Sequence, residues 1–209
     1  IALINIRDNF YFKNDLKGKN WDYWNVKNCN VENYRTSIIH LIKNNYFVIR
    51  TGKGSEKNIN ISNKNFVDLT NHPSRSDLLE CYLNSICKLF IGSNSGGTYP
   101  SIFLFRKPTY VSNFCPIGIT WTNSKKIFTN FKIIRSKKTK KILTLSELKK
   151  FDLLNYQHTD MYNDLNLEFE ESREDDLLSS VNEFMLKVEK KWVYTNDEVN
   201  LKNSFSSIS

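Results

Sequence analysis

The residues best suited to chemistry lie where apolar runs end. The run Lys88–Gly92 passes directly into Ser93-Asn94-Ser95-Gly96-Gly97. Small residues between a strand and a helix let backbone N–H groups approach an anion closely, and the two hydroxyls can donate to phosphate oxygens. The same residues also suit a tight turn in which glycine supplies backbone freedom. Neither the Walker pattern nor the dinucleotide fingerprint occurs. Arg7 and Arg50 end two other apolar runs. A guanidinium matches phosphate bidentately, so two of them beside a Gly/Ser turn would suit a diphosphate, whereas either alone would suit a surface salt bridge. Asp8 reads as a base, as an orienter of Arg7 or as a turn residue. Gly52 follows Arg50-Thr51, and Ser76-Asp77 precedes a helical stretch, where Asp77 reads as a cap or a ligand. His72 follows a strand, while His40 and His158 read as structural. No D-x-D pair with apolar flanks marks a metal–diphosphate site.

Alternating elements would place these residues together. Ile1–Ile6, Tyr46–Arg50, Phe66–Leu69, Lys88–Gly92 and Pro108–Ser112 read as short buried strands. Residues 31–44 carry Tyr34, Ile38, Leu41 and Ile42 at helical spacing. The stretch after Asp77 sets Leu78, Leu79, Tyr82, Leu83 and Ile86 on one face, with Asp77 and Glu80 spaced as a capping box. An apolar helix should run through Phe105. This alternation predicts βαβ units and a parallel sheet, whose ligands bind at the strand carboxyl ends. Residues 9–30, 53–65 and 152–166 read as loops, and 120–143 as basic and irregular with a strand or hairpin near Phe131–Ile134. Thr144 and Glu147 form a capping box. Ser172 and Asp175 cap a long helix bearing Leu177, Val181, Phe184, Met185 and Trp192, and 195–209 reads as a disordered tail.

The 209 residues suffice for one core without staples. Hydrophobic residues make up 40% and charged residues 25%, as in a typical globular chain. No apolar run approaches the length of a membrane span. The net charge is +8 with a pI near 9.2. Residues 1–150 hold 25 Lys/Arg against 9 Asp/Glu, and 151–209 hold 5 against 13. A basic body favours anionic partners, although abundant Lys and Asn with scarce Ala and Gly equally mark an AT-rich coding bias. Four cysteines show no metal or redox spacing, so reduced buried thiols are expected. The chain starts at Ile within an apolar run and shows no signal-peptide pattern.

Several pieces align in order: Ile6-Arg7-Asp8, Lys27-Asn28 before Val31–Tyr34, Val48–Gly52, Ser76-Asp77, Phe90–Gly96, and Lys107-Pro108 before Ser112-Asn113. This set resembles a bacterial glycosyltransferase family of surface-polysaccharide gene clusters. Its members are similar to the C-terminal, donor-binding half of GT-B glycosyltransferases. The match spans roughly 1–190, with Lys27 standing where an arginine is expected. The resemblance implies an α/β, Rossmann-like parallel sheet with helices on both faces over 1–194, lacking an N-terminal acceptor half. It implies a metal-independent glycosyltransferase with no cofactor, taking a nucleotide-diphosphosugar as co-substrate and a glycan or lipid-linked acceptor. Arg7 and Arg50 would hold the diphosphate. Ser93, Asn94, Ser95, Gly96 and Gly97 would cradle it beside Gly52, and Ser76 and Asp77 would face the base or ribose. Asp8 and Arg7 would be the catalytic pair. A cytoplasmic location, peripheral to the inner membrane, is expected. A sugar-nucleotide epimerase or a non-catalytic nucleotide-sugar module would use the same half. A nucleic-acid binder would use the basic body but shows no recognition motif, so no nucleic-acid partner is expected.

Overall fold

The computed structural model describes residues 1–15, 21–119 and 125–206. Among these, a sheet of six parallel strands has the order β3-β2-β1-β4-β5-β6. Its strands are β1 (Ala2–Asn5), β2 (Val48–Arg50), β3 (Phe66–Asp68), β4 (Leu89–Ser93), β5 (Thr109–Phe114) and β6 (Ile127–Phe131). This is a Rossmann-like α/β fold with the doubly wound strand order. β1 lies at the centre, pairing Leu3 with Ile49 on one side and with Phe90 on the other. The chain leaves β1 towards β2 and later returns past it to β4, so the order reverses between β1 and β4. At that reversal the two following loops part and leave a crevice.

Alternation along β1 divides the core. Ala2, Ile4 and Ile6 face one layer with Val48, Leu89 and Ile91, against α2 (Arg35–Lys43) and α6 (Glu174–Val188). Leu3, Ile49 and Phe90 face the other layer, where α3 (Asp77–Ile86) contributes Leu83. The first layer is deep: Ile38, Leu41, Leu177, Val181, Phe184 and Met185 are all buried there. The second is thin. After β4 the chain forms a 3₁₀ turn at Gly96–Thr98 and one π turn at Pro100–Leu104 rather than the expected longer helix. On α3, Leu78, Tyr82 and Ile86 are exposed, and of its apolar side chains only Leu83 is buried. The apolar stripe of this helix is therefore wider than its contact with the sheet.

A smaller antiparallel pair, β7 (Ile133–Ser136) with β8 (Leu167–Glu170), carries α4 (Leu145–Lys150) and α5 (Thr159–Asp164). Its own core is Ile134, Leu148, Leu153, Tyr162 and Leu167. The capping box of Thr144 and Glu147 forms as expected. α5 falls inside the 152–166 stretch read as loop.

Three further readings are corrected. The 9–30 region is not simply a loop: it holds α1 (Phe10–Asp15) and a 3₁₀ segment, Asp22–Lys27, and 16–20 lie outside the described residues. Ring packing rather than hydrophobic period orders it, with Phe12, Trp21 and Trp24 in tilted and edge-on contact at 4.9–5.8 Å between centroids. The helix expected from Ser172 starts at Glu174, and the Ser172 hydroxyl accepts from Asn130 instead. The tail from 195 onwards forms α7 (Asn196–Ser206), with 207–209 outside the described residues. Thr195 and Glu198 exchange capping bonds that start this helix.

Candidate functional site

The crevice at the strand reversal is a cleft of about 490 Å³. Asn5, Ile6, Arg7 and Asp8 enter it from the end of β1, and Asn94 to Gly97 from the end of β4. Gly52 to Gly54 come from β2, Arg75 and Glu80 from the start of α3, and Tyr11, Phe12, Trp24, Lys27 and Tyr99 form the walls. The β1 and β4 loops are tied together. The Arg7 backbone N–H donates to the Ser93 hydroxyl at 2.8 Å, and the Ser95 hydroxyl donates to Asn5 Oδ1 at 3.0 Å. Asn5 Nδ2 in turn donates to the Thr51 carbonyl at 3.1 Å, which brings in the end of β2. Gly97 permits this closeness: a Cβ there would lie 2.6 Å from Asn5 Oδ1. At Gly96 an added Cβ would meet nothing within 4 Å.

Arg7 is the central cation. Its Nε donates to Asn28 Oδ1 at 3.0 Å, and its guanidinium carbon lies 4.7 Å from the Phe12 ring centroid and 5.5 Å from that of Trp24. One terminal nitrogen, Nη2, is buried without a hydrogen-bond partner, as is Trp24 Nε1 beside it. Burial pulls the Arg7 pKa down to about 10, which leaves it charged at neutral pH. Lys27 stands next to it, buried, with Nζ 4.9 Å from the Trp24 ring and donating to Gln157 Oε1 at 2.8 Å. Its pKa is lowered, first by burial and then by the Arg7 charge. A cation with a buried, unpaired donor is costly. What such a donor lacks is an acceptor, and a multi-oxygen anion offers several.

Both carboxylates of the cleft are engaged elsewhere. Asp8 accepts from the Phe10 N–H through Oδ1, and from the Ser55 hydroxyl and the Glu56 N–H through Oδ2, at 2.6–2.9 Å. It ties α1 to the loop after β2. Glu80 accepts from the Gly52 N–H at 2.9 Å and from Arg75 Nε at 3.0 Å. Arg75 also pairs with exposed Asp77.

The structure thus brings Arg7, Asp8, Gly52, Asn94, Ser95, Gly96 and Gly97 together at the cleft. It places the other expected site residues elsewhere. Arg50 lies on an inner strand, fully buried, and bonds Asp68 of the neighbouring strand at 3.0 Å, the Lys57 carbonyl and Ser55. It is the last residue of β2, but its side chain is engaged with Asp68 of β3, so it is half of a structural ion pair. Ser93 is buried beneath the turn and serves Arg7 through its backbone. Ser76, not Asp77, caps α3, accepting from the Leu79 N–H at 3.1 Å, so the expected Asp77–Glu80 capping box does not form. His72 accepts from the Ser74 N–H in an exposed turn. Of the cysteines, Cys29, Cys87 and Cys115 are buried as expected, while Cys81 is exposed on α3.

The sequence reading of site residues missed Asn5, Tyr11, Phe12, Trp24, Arg75 and Tyr99. The aromatic density of residues 10–24 was the available signal, and Asn5, a polar residue closing an apolar run, was another. Comparison with family models, with curated proteins and with solved structures finds no match.

Proposed function

We propose that the cleft binds a nucleotide-diphosphosugar and that the chain is the donor-binding half of a GT-B-type glycosyltransferase, working on the cytoplasmic side in surface-glycan synthesis. The observation that carries the reading is Arg7, a half-buried guanidinium with a buried, unpaired Nη2, flanked by Lys27 at the strand reversal of a doubly wound sheet. In the proposed reaction the bond between the sugar C1 and the diphosphate oxygen breaks, with its electron pair going to the diphosphate. The acceptor hydroxyl forms the new C1–O bond and gives up its proton. Arg7 and Lys27 neutralise the charge that grows on the departing diphosphate. The Ser95–Gly97 turn lines the same cleft, where a Cβ at Gly96 would meet no atom within 4 Å. Tyr11, Phe12, Trp24 and Tyr99 supply flat apolar surface for base or sugar. Asp8 holds loops in this reading, and an acceptor-binding domain provides the base.

A second reading, a nucleotide-sugar-binding module without catalysis, is favoured by the engagement of both cleft carboxylates, Asp8 and Glu80. One set of measurements tests both. Calorimetry with the full chain should give tighter binding of UDP than uridine, or of GDP than guanosine, and equal affinities within both pairs would overturn the cleft assignment. Slow release of nucleoside diphosphate from the matching nucleotide sugar, with water as acceptor, identifies the transferase.

A further inference from the structure

The cleft wall carries a polar donor as well as flat apolar surface. Trp24 lies in the 3₁₀ segment Asp22–Lys27 and lines the cleft. Its Nε1 is buried and has no hydrogen-bond partner. An indole N–H taken out of water ordinarily finds an acceptor, because leaving it unpaired costs the full loss of its hydration. The ring is also held still. Phe12 and Tyr23 meet it edge-on at 5.8 and 5.5 Å between centroids, and Trp21 leans on it at 5.8 Å. The Lys27 ammonium lies 4.9 Å from its centroid. The backbone is fixed as well, since the Thr159 hydroxyl donates to the Tyr23 carbonyl at 2.9 Å and accepts from the Val26 N–H at 3.3 Å. The indole N–H is thus a fixed donor rather than one that can turn to find a partner.

A second unpaired donor stands against it. The Arg7 guanidinium carbon is 5.5 Å from the Trp24 ring centroid, and Arg7 Nη2 is buried and unpaired too. Asn28 takes up only Arg7 Nε, and its amide is locked in that pose: Nδ2 donates to Asn9 Oδ1 at 2.5 Å and to Asn25 Oδ1 at 3.0 Å. The positive charge at this spot has no local counterion. Arg7 and Lys27 bond the neutral amides of Asn28 and Gln157, and Asp8 and Glu80 are bonded to other groups. Two N–H groups from different elements, beside a second cation, lack the same thing: an oxygen acceptor that carries negative charge. Trp192 shows the contrast. Its Nε1 is also buried and unpaired, but the cation near its ring, Lys187, is already paired with Glu183.

We propose that the Trp24 indole N–H binds the ligand directly, donating together with Arg7 Nη2 to the oxygens of one phosphoryl group. Trp24 then recognises the anion as well as walling the base or sugar. The proposal rests on the reading of the cleft as a nucleoside-diphosphate site. Both atoms are covered, so the phosphoryl group reaches them only as the rings around them give way, and the indole reports its arrival.

The test follows that indole. The full chain with isotope-labelled tryptophan gives one indole N–H resonance for each of its four tryptophans, assigned through bonds. Titration with UDP or GDP, whichever the parent binds, should move the Trp24 resonance downfield. Inorganic pyrophosphate, which brings no ring of its own, should do the same, whereas the nucleoside should not. Trp24→Phe keeps an aromatic ring and loses the N–H. It should weaken diphosphate binding about tenfold or more while the nucleoside binds as it does to the parent. Trp192→Phe should change neither. Because both donors grip one group, the double variant with Arg7→Ala should lose less than the product of the single losses. A parent that binds none of UDP, GDP and pyrophosphate overturns the proposal together with the cleft reading. Binding without a downfield shift at Trp24, or a folded Trp24→Phe with the parent's diphosphate affinity, overturns the proposal alone. So do losses shared equally by nucleoside and diphosphate, which assign Trp24 to packing, and single losses that multiply, which put the two donors on separate groups. If Trp24→Phe fails to fold, the resonance of the parent decides.

Discussion

Replacing Arg7 separates recognition from architecture more cleanly than any other change in the cleft. Arg7→Ala removes the cleft's charged side chain whose Nη2 is buried and unpaired. A hydrogen bond to a charged group is worth about 1.5–3 kcal/mol, so affinity for a nucleoside diphosphate should fall about 10- to 150-fold. The same change deletes the Nε–Asn28 bond and the stack on Phe12 and Trp24. Relief of the buried charge offsets part of that loss, leaving a net destabilisation of about 1–3 kcal/mol. For a chain of this size that lowers Tm by about 2–12 °C, and the protein stays folded at room temperature. Arg7→Lys keeps the charge but loses the fork and the flat stacking surface, and should fall between parent and Arg7→Ala. The assay is calorimetric titration of parent and both variants with a nucleoside diphosphate and with the nucleoside alone. Diphosphate binding should follow the series while nucleoside binding stays constant. Equal losses for both ligands, or variants that are folded and bind the diphosphate like the parent, would refute the reasoning.

Gly97→Ala should cost about 1–3 kcal/mol, because its Cβ would displace Asn5 and break the ties between the three loops, whereas Gly96→Ala should melt within about 0.5 kcal/mol of the parent. Arg50→Ala should destabilise by about 3–5 kcal/mol in urea melts, since it strands Asp68 beside a buried gap, while Asp77→Ala should be nearly silent. The Glu189 carboxyl is held down to about 2 by Lys191, Tyr46 and Lys88, so its contribution is present above the unfolded value of about 4.3 and is lost as pH falls towards 2. Glu189→Gln should accordingly flatten the fall in Tm over that acid range.

The sheet was legible because each inner strand is a short apolar run with no competing helical period, and the helices flanking it carried clear stripes at Ile38–Leu41 and Leu177–Met185. The loops after β1 and β4 were legible as a site because small and charged residues follow those runs directly. Arg50 misled for a different reason: it ends both the apolar run and β2, but register sets it beside Asp68, which takes up its guanidinium. Trp24 and Phe12 were hidden because ring packing has no sequence period, and Lys27, picked out only through the resemblance, was not placed at the site. The exposure of Leu78 and Tyr82 was hidden because a helical stripe does not say how much of it a sheet will cover. The capping pair of Thr195 and Glu198 stood in the sequence and was passed over among polar neighbours.

The wall of the cleft is finished by the far end of the chain. Lys27 is held by Gln157, 130 positions later, and the backbone of Asp22, Tyr23 and Val26 is pinned by the Thr159 hydroxyl of α5. During synthesis, β1 and its arginine emerge early, but the segment that carries Trp24 and Lys27 lacks its ties to Gln157 and Thr159 until α5 has left the ribosome and packed. The centre of the cleft is thus laid down first and its rim last. A nascent or C-terminally shortened chain carries the charged loop without the wall that encloses it, and competence to hold a ligand arrives in one late step of folding.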